Sequence, residues 1–367
     1  MALYIGMMAG TSVDAIDAAV VDFSLDLPQL IATHSEAFAP ELRQQVLELM
    51  QPGDNEIQRM LIADNQLGAA FGAAANALLK KAALPKEAIL AIGSHGQTIR
   101  HLPQYGNTLQ IGNPNVIAEL TGIPTISDFR RRDMAQGGQG APLAPLFHHY
   151  VFAEAKQTRA TVNIGGMANI TVLPHDATQS VFGFDTGPGN VLLDDWTLQH
   201  LGSAFDKNGE WASTGQADPG FVATLLKDAY FDQAPPKSTG RERFNHLWLQ
   251  QHLKEYAKAL TPEDVQASLV ELTAQSITLA IHKYAPEIES LFVCGGGALN
   301  GYLMQQLQAH AQGYVVHSTA ALGIHPSWVE AMLMAWLAKQ RFEGKACQLQ
   351  AVTGAKGNGA ILGGVYY

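Results

Sequence analysis

The sequence predicts an α/β protein built from two domains of common ancestry that face each other across a cleft. Its 367 residues exceed what one simple core accommodates and suit two domains of ordinary size. A strand, a glycine turn and a second strand occupy residues 3–21, and the same unit recurs at residues 161–173. A unit repeated in this way is typical of duplicated domains, each offering its loop to one phosphate tail.

The composition excludes several classes of protein. Hydrophobic residues make up 47% of the chain and charged residues 15%, against a typical charged share of about 25%, which indicates a well-buried globular protein. The net charge of −10 argues against nucleic-acid binding, because clustered Lys and Arg drive that binding. It does not argue against ATP, since the backbone amides of a glycine loop can hold phosphate.

The cysteines and the N-terminus indicate where the protein works. Cys294 and Cys347 are too few for a disulfide framework and fit a reducing compartment. The short apolar start has no basic residues before it, and no apolar run is long enough to span a bilayer. We therefore expect a cytoplasmic protein that does not act in a membrane.

The first hairpin carries the main functional signal. Its turn reads AGTSVDAID over residues 9–17, and small residues of this kind present backbone N–H groups and hydroxyls to a phosphate. Asp14 and Asp17 are placed to hold the water shell of a Mg²⁺ on those phosphates. The turn is not a P-loop, since no Gly-Lys-Ser or Gly-Lys-Thr follows it. An ordinary glycine-rich hairpin is the alternative.

Strands and helices alternate between the two hairpins. The pattern predicts a third strand over residues 29–37, helices after Pro40 and over residues 55–81, and a strand over residues 88–92. A polar loop follows this last strand, and ligands bind at the carboxyl ends of strands in α/β folds. The loop contains His95, Gln97 and His101. A metal held by its two histidines is the alternative, although no third ligand accompanies them.

Three consecutive arginines, Arg130, Arg131 and Arg132, are unusual in this acidic chain. They follow a short helix predicted over residues 115–121 and a short strand over residues 124–127. The run could clamp a carboxylate or a phosphate, which bidentate arginine suits. It could equally be a solvated turn with local Arg–Asp pairs.

Beyond the second hairpin, Asp185 is predicted at the end of an apolar strand, before the turn Thr-Gly-Pro-Gly. A carboxylate in this place suits a general base, and a helix N-cap is the alternative. Further along, Thr261 as N-cap and Pro262 as first helical residue predict the start of a long helix.

The last part of the chain adds two candidates. Gly295, Gly296 and Gly297 follow a strand predicted over residues 290–293, and they would let a flat adenine or ribose lie against the backbone. A tight strand-to-helix turn is the alternative. Glu330 falls in the first turn of the last long helix, where the helix dipole favours a carboxylate with or without a function. We expect the glycine-rich tail to pack on the first domain.

Seven motifs, in order, resemble those of one family. They read GMMAGTSVDAID, GSHGQTIRH, LQIGNP, DFRRRDMAQGGQGAPL, VNIGGMANIT, FDTGPGN and VCGGGALN, and they span nearly the whole chain. In these motifs the chain resembles the anhydro-N-acetylmuramic acid kinases of the actin/Hsp70/sugar-kinase superfold. Ala9 and Ala15 depart from the Ser and Gly usual in that pattern, without removing a ligand group.

This resemblance implies the fold. It implies two actin-like (RNase H-like) α/β domains facing each other across a nucleotide cleft. We expect the first domain to comprise residues 1–128 with the C-terminal segment 350–367, and the second to comprise residues 129–349.

The resemblance also implies the activity. ATP- and Mg²⁺-dependent phosphorylation would be coupled to hydrolytic opening of the 1,6-anhydro ring, giving N-acetylmuramic acid 6-phosphate in cell-wall recycling. Asp185 would activate a water for attack at the anomeric carbon. The sugar would contact His95, Gln97, Arg131 and Glu330, with an arginine of the run 130–132 meeting the lactyl carboxylate. The nucleotide would be bound by Gly10, Thr11, Ser12, Val13, Asp14, Ala15, Ile16 and Asp17, by Asn163, Gly165 and Gly166, and by Gly295, Gly296 and Gly297.

Other functions stay open at this point. A sugar or acid kinase of the same superfold could phosphorylate a free hydroxyl without opening a ring. An actin-like or chaperone-like ATPase is the second possibility, although the polar loops over residues 93–101 and 128–140 disfavour it. A binding protein without chemistry is the third. We expect a small-molecule substrate and no nucleic-acid or membrane partner. A homodimer is compatible with the sequence.

Overall fold

The computed structural model describes residues 1–10, 13–176 and 178–367. The chain forms two compact units. Unit 1 comprises Met1–Val151 and Trp328–Tyr367, and unit 2 comprises Phe152–Ser327. Within the described ranges, we find no helix that combines the length and the apolar character needed to cross a membrane.

Unit 1 is built on a six-stranded sheet and a separate hairpin. The sheet has the order β13-β7-β4-β1-β2-β3. Strands β1, β2 and β3 pair antiparallel, whereas β1, β4 and β7 run parallel. The strands are β1 (Leu3–Ala9), β2 (Ala15–Asp22), β3 (Gln29–Ala37), β4 (Ile89–Ser94), β5 (Gln97–Leu102), β6 (Asn107–Ile111), β7 (Thr125–Ser127) and β13 (Gly364–Tyr366), and β5 and β6 form the hairpin.

Seven helices accompany this sheet. They are α1 (Pro40–Leu49), α2 (Glu56–Ala82), α3 (Pro114–Thr121), α4 (Arg131–Ala135), α5 (Ala144–Phe152), α12 (Val329–Phe342) and α13 (Gln350–Thr353). The apolar side of α2, with Leu67, Phe71 and Leu78, belongs to the same buried cluster as Ile5 and Ile92 of the central strands. Burial of this side stabilises a helix whose many small residues bury little area each.

Two glycines allow helix α12 to lie directly on the strand backbones. A Cβ atom added at Gly6 would lie 1.8 Å from the carbonyl oxygen of Ala331, and one at Gly93 would lie 2.1 Å from that of Met334. Any side chain at these positions would force the helix away from β1 and β4. The contact therefore fixes the path of α12 across the middle of the sheet.

Unit 2 repeats this strand arrangement. Its sheet has the order β10-β9-β8-β11-β12, with β8, β9 and β10 antiparallel and β8, β11 and β12 parallel. The strands are β8 (Arg159–Ile164), β9 (Met167–Leu173), β10 (Phe182–Pro188), β11 (Ser290–Cys294) and β12 (Val315–Ser318). The helices are α6 (Val191–Leu201), α7 (Pro219–Leu225), α8 (Ala229–Asp232), α9 (His246–Glu255), α10 (Pro262–Tyr284) and α11 (Gly301–His310).

The common strand order confirms the predicted fold class of two actin-like α/β domains. It also confirms that the hairpin at the start of each half is an internal repeat. The helix signals at Thr261 are confirmed as well, since its side chain accepts a hydrogen bond from the backbone N–H of Asp264 at 3.2 Å. One strand differs from the prediction, because Asp185 is the fourth residue of β10 rather than its end.

The unit boundaries differ from those expected from the sequence. The sequence predicts that residues 129–151 and 328–349 belong to the second domain, whereas in the structure they belong to unit 1. The physical reason is that α12 packs on β1 and β4 through Gly6 and Gly93, and this returns the chain to unit 1 before its last residues. As expected, the tail itself joins the first domain, with β13 pairing to β7.

We predict that Gly6→Ala destabilises the protein by about 3 kcal/mol or more, because the new methyl group overlaps backbone atoms that cannot rotate away. Gly53→Ala is the matched control, since its Cβ would meet only the end of the Arg59 side chain at 3.0 Å. The control should change the free energy of unfolding by less than about 0.5 kcal/mol. Urea denaturation measures the free energy of unfolding of the two variants. Equal effects of the two substitutions would contradict the close-contact argument.

Candidate functional site

In unit 1, a buried polar group lies where strand β4 ends. Ser94, His95 and Gln97 are 0%, 4% and 1% exposed. Among the described residues, neither the Ser94 hydroxyl nor the Gln97 side-chain oxygen has a hydrogen-bond partner. Leaving a buried polar atom without a hydrogen bond costs about 1–3 kcal/mol. The Ser94 hydroxyl and the Gln97 oxygen therefore indicate a place where a polar ligand supplies the missing hydrogen bonds.

Arg130 donates to His95. The Arg130 Nε and Nη2 atoms lie 3.0 and 2.9 Å from Nε2 of His95, while Nη1 donates to the carbonyl of Gly140 at 2.8 Å. Burial, together with the charge of Arg130, lowers the pKa of His95 to about 3. His95 is therefore neutral, and its second nitrogen, Nδ1, donates to the carbonyl of Gly96 at 3.1 Å. Both ring nitrogens are thus committed to fixed partners.

The guanidinium of Arg130 is itself buried, and two carboxylates act on it. Burial lowers the pKa of Arg130 to about 10, and the charges of Glu330 and Asp133 oppose that shift. Glu330 lies in the first turn of α12, as predicted. The structure therefore brings His95 and Glu330, two of the predicted sugar contacts, into the surroundings of Arg130. The sequence analysis did not single out Arg130 from its two neighbours.

Arg131 is placed differently. Its side chain is exposed and pairs with Asp128 at 2.7 Å, which raises the pKa of Arg131. This is the local Arg–Asp pair that the sequence analysis kept as an alternative. A ligand carboxylate at Arg131 would have to compete with Asp128.

Asp133 ties the arginine loop to the C-terminal segment. Its side chain is fully buried and accepts hydrogen bonds from the backbone N–H of Gly140, at 2.6 Å, and from the hydroxyl of Thr353. Gly140 is also the residue whose carbonyl holds Arg130. Asp133 therefore positions Arg130 through Gly140, and nothing in the sequence pattern linked residue 133 to residue 353.

The turn of the first hairpin is partly described. Thr11 and Ser12 lie outside the described residues. Gly10 accepts a hydrogen bond from the N–H of Val13 at 3.1 Å, and Val13 is buried with φ of 55°. A β-branched residue in this left-handed region is strained by about 1–3 kcal/mol. Such strain persists only where the surrounding structure enforces it, as at ligand-binding turns.

The two aspartates of this turn have different surroundings. Asp14 is exposed and pairs with Arg43 at 3.3 Å. Asp17 follows Ala15 and Ile16 in β2, and its burial raises the pKa of its carboxyl. Among the described residues there is no group of three or more His, Cys, Asp or Glu side chains that could hold a metal. A phosphate-bound Mg²⁺ needs only one or two carboxylates, and Asp14 would have to give up its pairing with Arg43 to supply one.

In unit 2, the second hairpin turn and the glycine loop are in contact. A Cβ at Gly295 would lie 2.4 Å from the Asn163 side-chain oxygen, and one at Gly297 would lie 2.4 Å from the side chain of Ile164. Only glycines permit this approach. The predicted phosphate motif of Asn163, Gly165 and Gly166 and the predicted adenosine motif of Gly295, Gly296 and Gly297 therefore form one surface.

Asn190 joins a third motif to this surface. Its backbone N–H donates to the carbonyl of Gly165 at 2.8 Å, and its side chain donates to that of Ile164 at 3.1 Å. The N–H of Gly189 donates to the carbonyl of Gly166 at 2.9 Å. Asn190 is the last residue of the motif FDTGPGN and directly precedes helix α6, which is the sequence signal that points to it.

Asp185 lies in the middle of β10 and is held by a distant loop. Its Oδ2 accepts from the N–H of Thr239 at 2.9 Å, and its backbone carbonyl accepts from the hydroxyl of Tyr230 at 2.7 Å. Burial raises the pKa of Asp185 to about 6; the charge of Glu242 raises it further, while the Thr239 bond and the Lys237 charge oppose the shift.

The environment of Asp185 suits a general base. A carboxyl with a pKa near 6 is ionised at neutral pH and is more basic than an ordinary aspartate. The hydroxyl of Thr239 is buried without a hydrogen-bond partner among the described residues, so a polar group can still be bound beside this carboxylate. The alternative of a helix N-cap is not observed, since Asn190 occupies that position for α6.

Comparison with known proteins gives a consistent result. A family model described as anhydro-N-acetylmuramic acid kinase matches residues 2–367. The anhydro-N-acetylmuramic acid kinase of Shewanella putrefaciens is 51% identical over 366 residues, covering 99% of this chain and 98% of that protein. That of Coxiella burnetii is 49% identical over 366 residues, covering 99% and 97%. Among solved structures, the component A of (R)-2-hydroxyglutaryl-CoA dehydratase from Acidaminococcus fermentans has a TM-score of 0.49 at 10% identity, covering 94% of this chain and 100% of that one.

We predict that Asp133→Ala lowers the free energy of unfolding by about 3–5 kcal/mol, because it leaves the donors of Gly140 and Thr353 without their acceptor and removes a negative charge that balances Arg130. Thr353→Val removes only one donor to the same carboxylate and should cost about 1 kcal/mol. Urea denaturation of the two variants tests the ranking. A loss for Asp133→Ala no larger than that for Thr353→Val would show that Asp133 does not hold the arginine loop.

Proposed function

The chain belongs to the anhydro-N-acetylmuramic acid kinase family, and we propose on that basis that it opens and phosphorylates 1,6-anhydro-N-acetylmuramic acid in peptidoglycan recycling. In the proposed reaction a water adds to the anomeric carbon, the bond from that carbon to O6 breaks, and O6 takes the γ-phosphoryl group of ATP. The products are N-acetylmuramic acid 6-phosphate and ADP. The environment of Asp185 is the observation that carries the hydrolytic half of this proposal.

Asp185 is the proposed base. Its carboxylate takes the proton of the attacking water, and a pKa of about 6 leaves it ionised and basic at neutral pH. The Thr239 N–H holds one carboxylate oxygen at 2.9 Å, which orients the other toward the water. Coupling ring opening to phosphoryl transfer requires both reacting groups to be held in place, and this is where binding energy contributes most.

The sugar contacts are proposed at the end of β4 and in the first turn of α12. The Gln97 oxygen and the Ser94 hydroxyl, both buried without partners among the described residues, match the hydroxyl and amide N–H donors of an N-acetylated sugar. His95 is fixed as a neutral ring by Arg130. Glu330 offers a carboxylate to a sugar hydroxyl, and Arg131 meets the lactyl carboxylate by exchanging its bond to Asp128.

The nucleotide contacts are proposed at the two hairpin turns. The turn over residues 10–17 and the turn of Asn163, Gly165 and Gly166 bind phosphates through backbone N–H groups, and Gly295–Gly297 lie beside the adenosine. A Mg²⁺ on these phosphates would neutralise the charge that develops during phosphoryl transfer. Asp17 would hold its water shell. We place the enzyme in the cytoplasm, consistent with neither Cys294 nor Cys347 forming a disulfide.

The first experiment is mass spectrometry of the sugar after incubation with ATP, Mg²⁺ and 1,6-anhydro-N-acetylmuramic acid. We expect the sugar to gain a phosphoryl group and a water together, because phosphoryl transfer depends on the oxygen freed by ring opening. Gain of a phosphoryl group alone would indicate a hydroxyl kinase without ring opening. ATP hydrolysis with an unchanged sugar would favour an ATPase.

Removing the proposed base should reduce kcat by about 10² to 10⁴. The variant is Asp185→Asn, which keeps the shape and the Thr239 bond but cannot take a proton, so nucleotide affinity should be nearly intact. Asp195→Asn, at an aspartate in α6 that pairs with Arg241 at 3.7 Å, is the matched control and should retain normal turnover. A near-normal rate for Asp185→Asn would exclude it as the base.

The pH dependence tests the surroundings of Asp185. Since the base must be ionised, kcat/KM should fall as the pH drops below about 6, the pKa of Asp185. The negative charge of Glu242 raises that pKa, so Glu242→Gln should move the acidic limb to lower pH. Glu287→Gln, at an exposed residue, should leave the limb in place. A limb that does not move in Glu242→Gln would mean that another group titrates.

A further inference from the structure

Unit 1 contains a cavity away from the polar group at the end of β4. It has a volume of about 550 Å³ and opens between the residue after β7, the last turn of α12 and the glycine-rich segment before β13. Asp128, Arg132, Arg341, Gly359, Gly363 and Gly364 are among its lining residues. Because three of these are glycines, backbone rather than side chains forms much of one wall.

The arginines lining this cavity differ from the others of the chain. The sequence has ten arginines, and eight of their side chains bond to another residue. These eight are Arg43, Arg59, Arg100, Arg130, Arg131, Arg159, Arg241 and Arg243. Within the part of the chain that the structure describes, the side chains of Arg132 and Arg341 form no hydrogen bond or ion pair, and both line this cavity.

The acidic residues nearby are already paired. Asp128, the one acid among the lining residues, bonds to Arg131 at 2.7 Å. Glu343, two residues after Arg341, bonds to Lys339 and Lys345 at 2.9 and 2.8 Å. Among the described residues, neither cavity arginine forms an ion pair, in a chain whose net charge is −10.

Arg341 adds an independent observation. Its Nε is buried and has no hydrogen-bond partner among the described residues. A buried N–H of a cation is costly to leave unpaired, so this atom requires an acceptor from outside the chain. Arg132 is exposed and can turn toward the same acceptor.

The two cavity arginines lie apart from the proposed catalytic residues, although Asp128 on the cavity wall is the partner of Arg131. Arg341 lies eleven residues after Glu330 on α12, which is about 16 Å along a helix that rises 1.5 Å per residue. Arg132 follows Arg130 by two residues, but its side chain is exposed, whereas Arg130 is half-buried and donates to His95. An anion held by Arg132 and Arg341 would therefore not occupy the surroundings of His95.

We propose that this cavity is a second, non-catalytic binding site for a small phosphomonoester. Two arginines can give a phosphate dianion four or more charge-assisted hydrogen bonds, whereas a carboxylate needs only one arginine. A volume of about 550 Å³ lies within the range of small-molecule sites and exceeds the volume of phosphate alone. The remaining space takes the organic part of the ligand.

Calorimetric titration of the full-length protein tests the site. Inorganic phosphate, glycerol 3-phosphate and acetate are the probes, each titrated with the nucleotide site filled by a non-hydrolysable ATP analogue and at constant ionic strength. We expect saturable binding of both phosphate probes and affinity for acetate at least about tenfold weaker. Acetate binding as tight as that of phosphate would overturn the assignment to phosphate.

The variants locate the binding. Arg132→Gln and Arg341→Gln should each weaken glycerol 3-phosphate binding by about tenfold or more, while Arg59→Gln, at an arginine on α2 paired with Glu48, should leave it unchanged. Because Arg132 is exposed, its variant remains informative if Arg341→Gln folds poorly. A probe concentration of about 10 mM is high enough to detect even weak sites. If the unmodified protein shows no saturable binding up to that concentration, the proposal is overturned. Unchanged affinity in Arg132→Gln would also overturn it.

Discussion

Unit 1 depends on the direct contact between the backbone of helix α12 and two glycines of its central strands. Because Gly6 and Gly93 have no side chain, the helix lies where a single methyl group would overlap it. The far end of the helix is held by an edge contact between the rings of Tyr4 and Phe342, 6.2 Å apart. The helix therefore has one position on the sheet, and this position sets the place of Glu330 at one end and of Arg341 at the other.

The polar group at the end of β4 depends on compensation of buried charge. A buried guanidinium is tolerated only when its donors are used and its charge is balanced. Arg130 meets both conditions, through His95 and Gly140 as acceptors and through Glu330 and Asp133 as negative charges. Burial disfavours a charge on His95, and protonation would also place a second cation against Arg130, so the pKa of His95 is low. The group is therefore rigid before any ligand binds, and this reduces the cost of orienting one.

Local signals in the sequence predicted much of this structure. The β3 strand, the N-cap of α10 and the place of Glu330 in the first turn of α12 each depend on a few neighbouring residues. The choice between Arg130 and Arg131 could not be made in this way, because α4 has only five residues and gives no periodicity to read. The same holds for the link between Asp133 and Thr353, 220 residues apart, and for the unit boundaries, which follow from the packing of α12. Long-range contacts leave no pattern in one sequence, so these features needed the structure.

The repeated strand order explains what the two units share but not the properties of Asp185. In unit 1 the counterpart of β10 is β3, an outer strand with mostly exposed or half-buried residues, whereas β10 is largely buried. The difference arises from residues 202–261, which lie between α6 and α10 and contain α7, α8 and α9. This segment supplies Tyr230, Lys237, Thr239 and Glu242, the residues that bond to Asp185 or shift its pKa. Burial is the main cause of the raised pKa of Asp185, and the added segment adjusts it, since Glu242 raises the pKa whereas the Thr239 bond and the Lys237 charge lower it. A protein with the same sheet and a different segment would therefore hold this carboxylate with a different basicity.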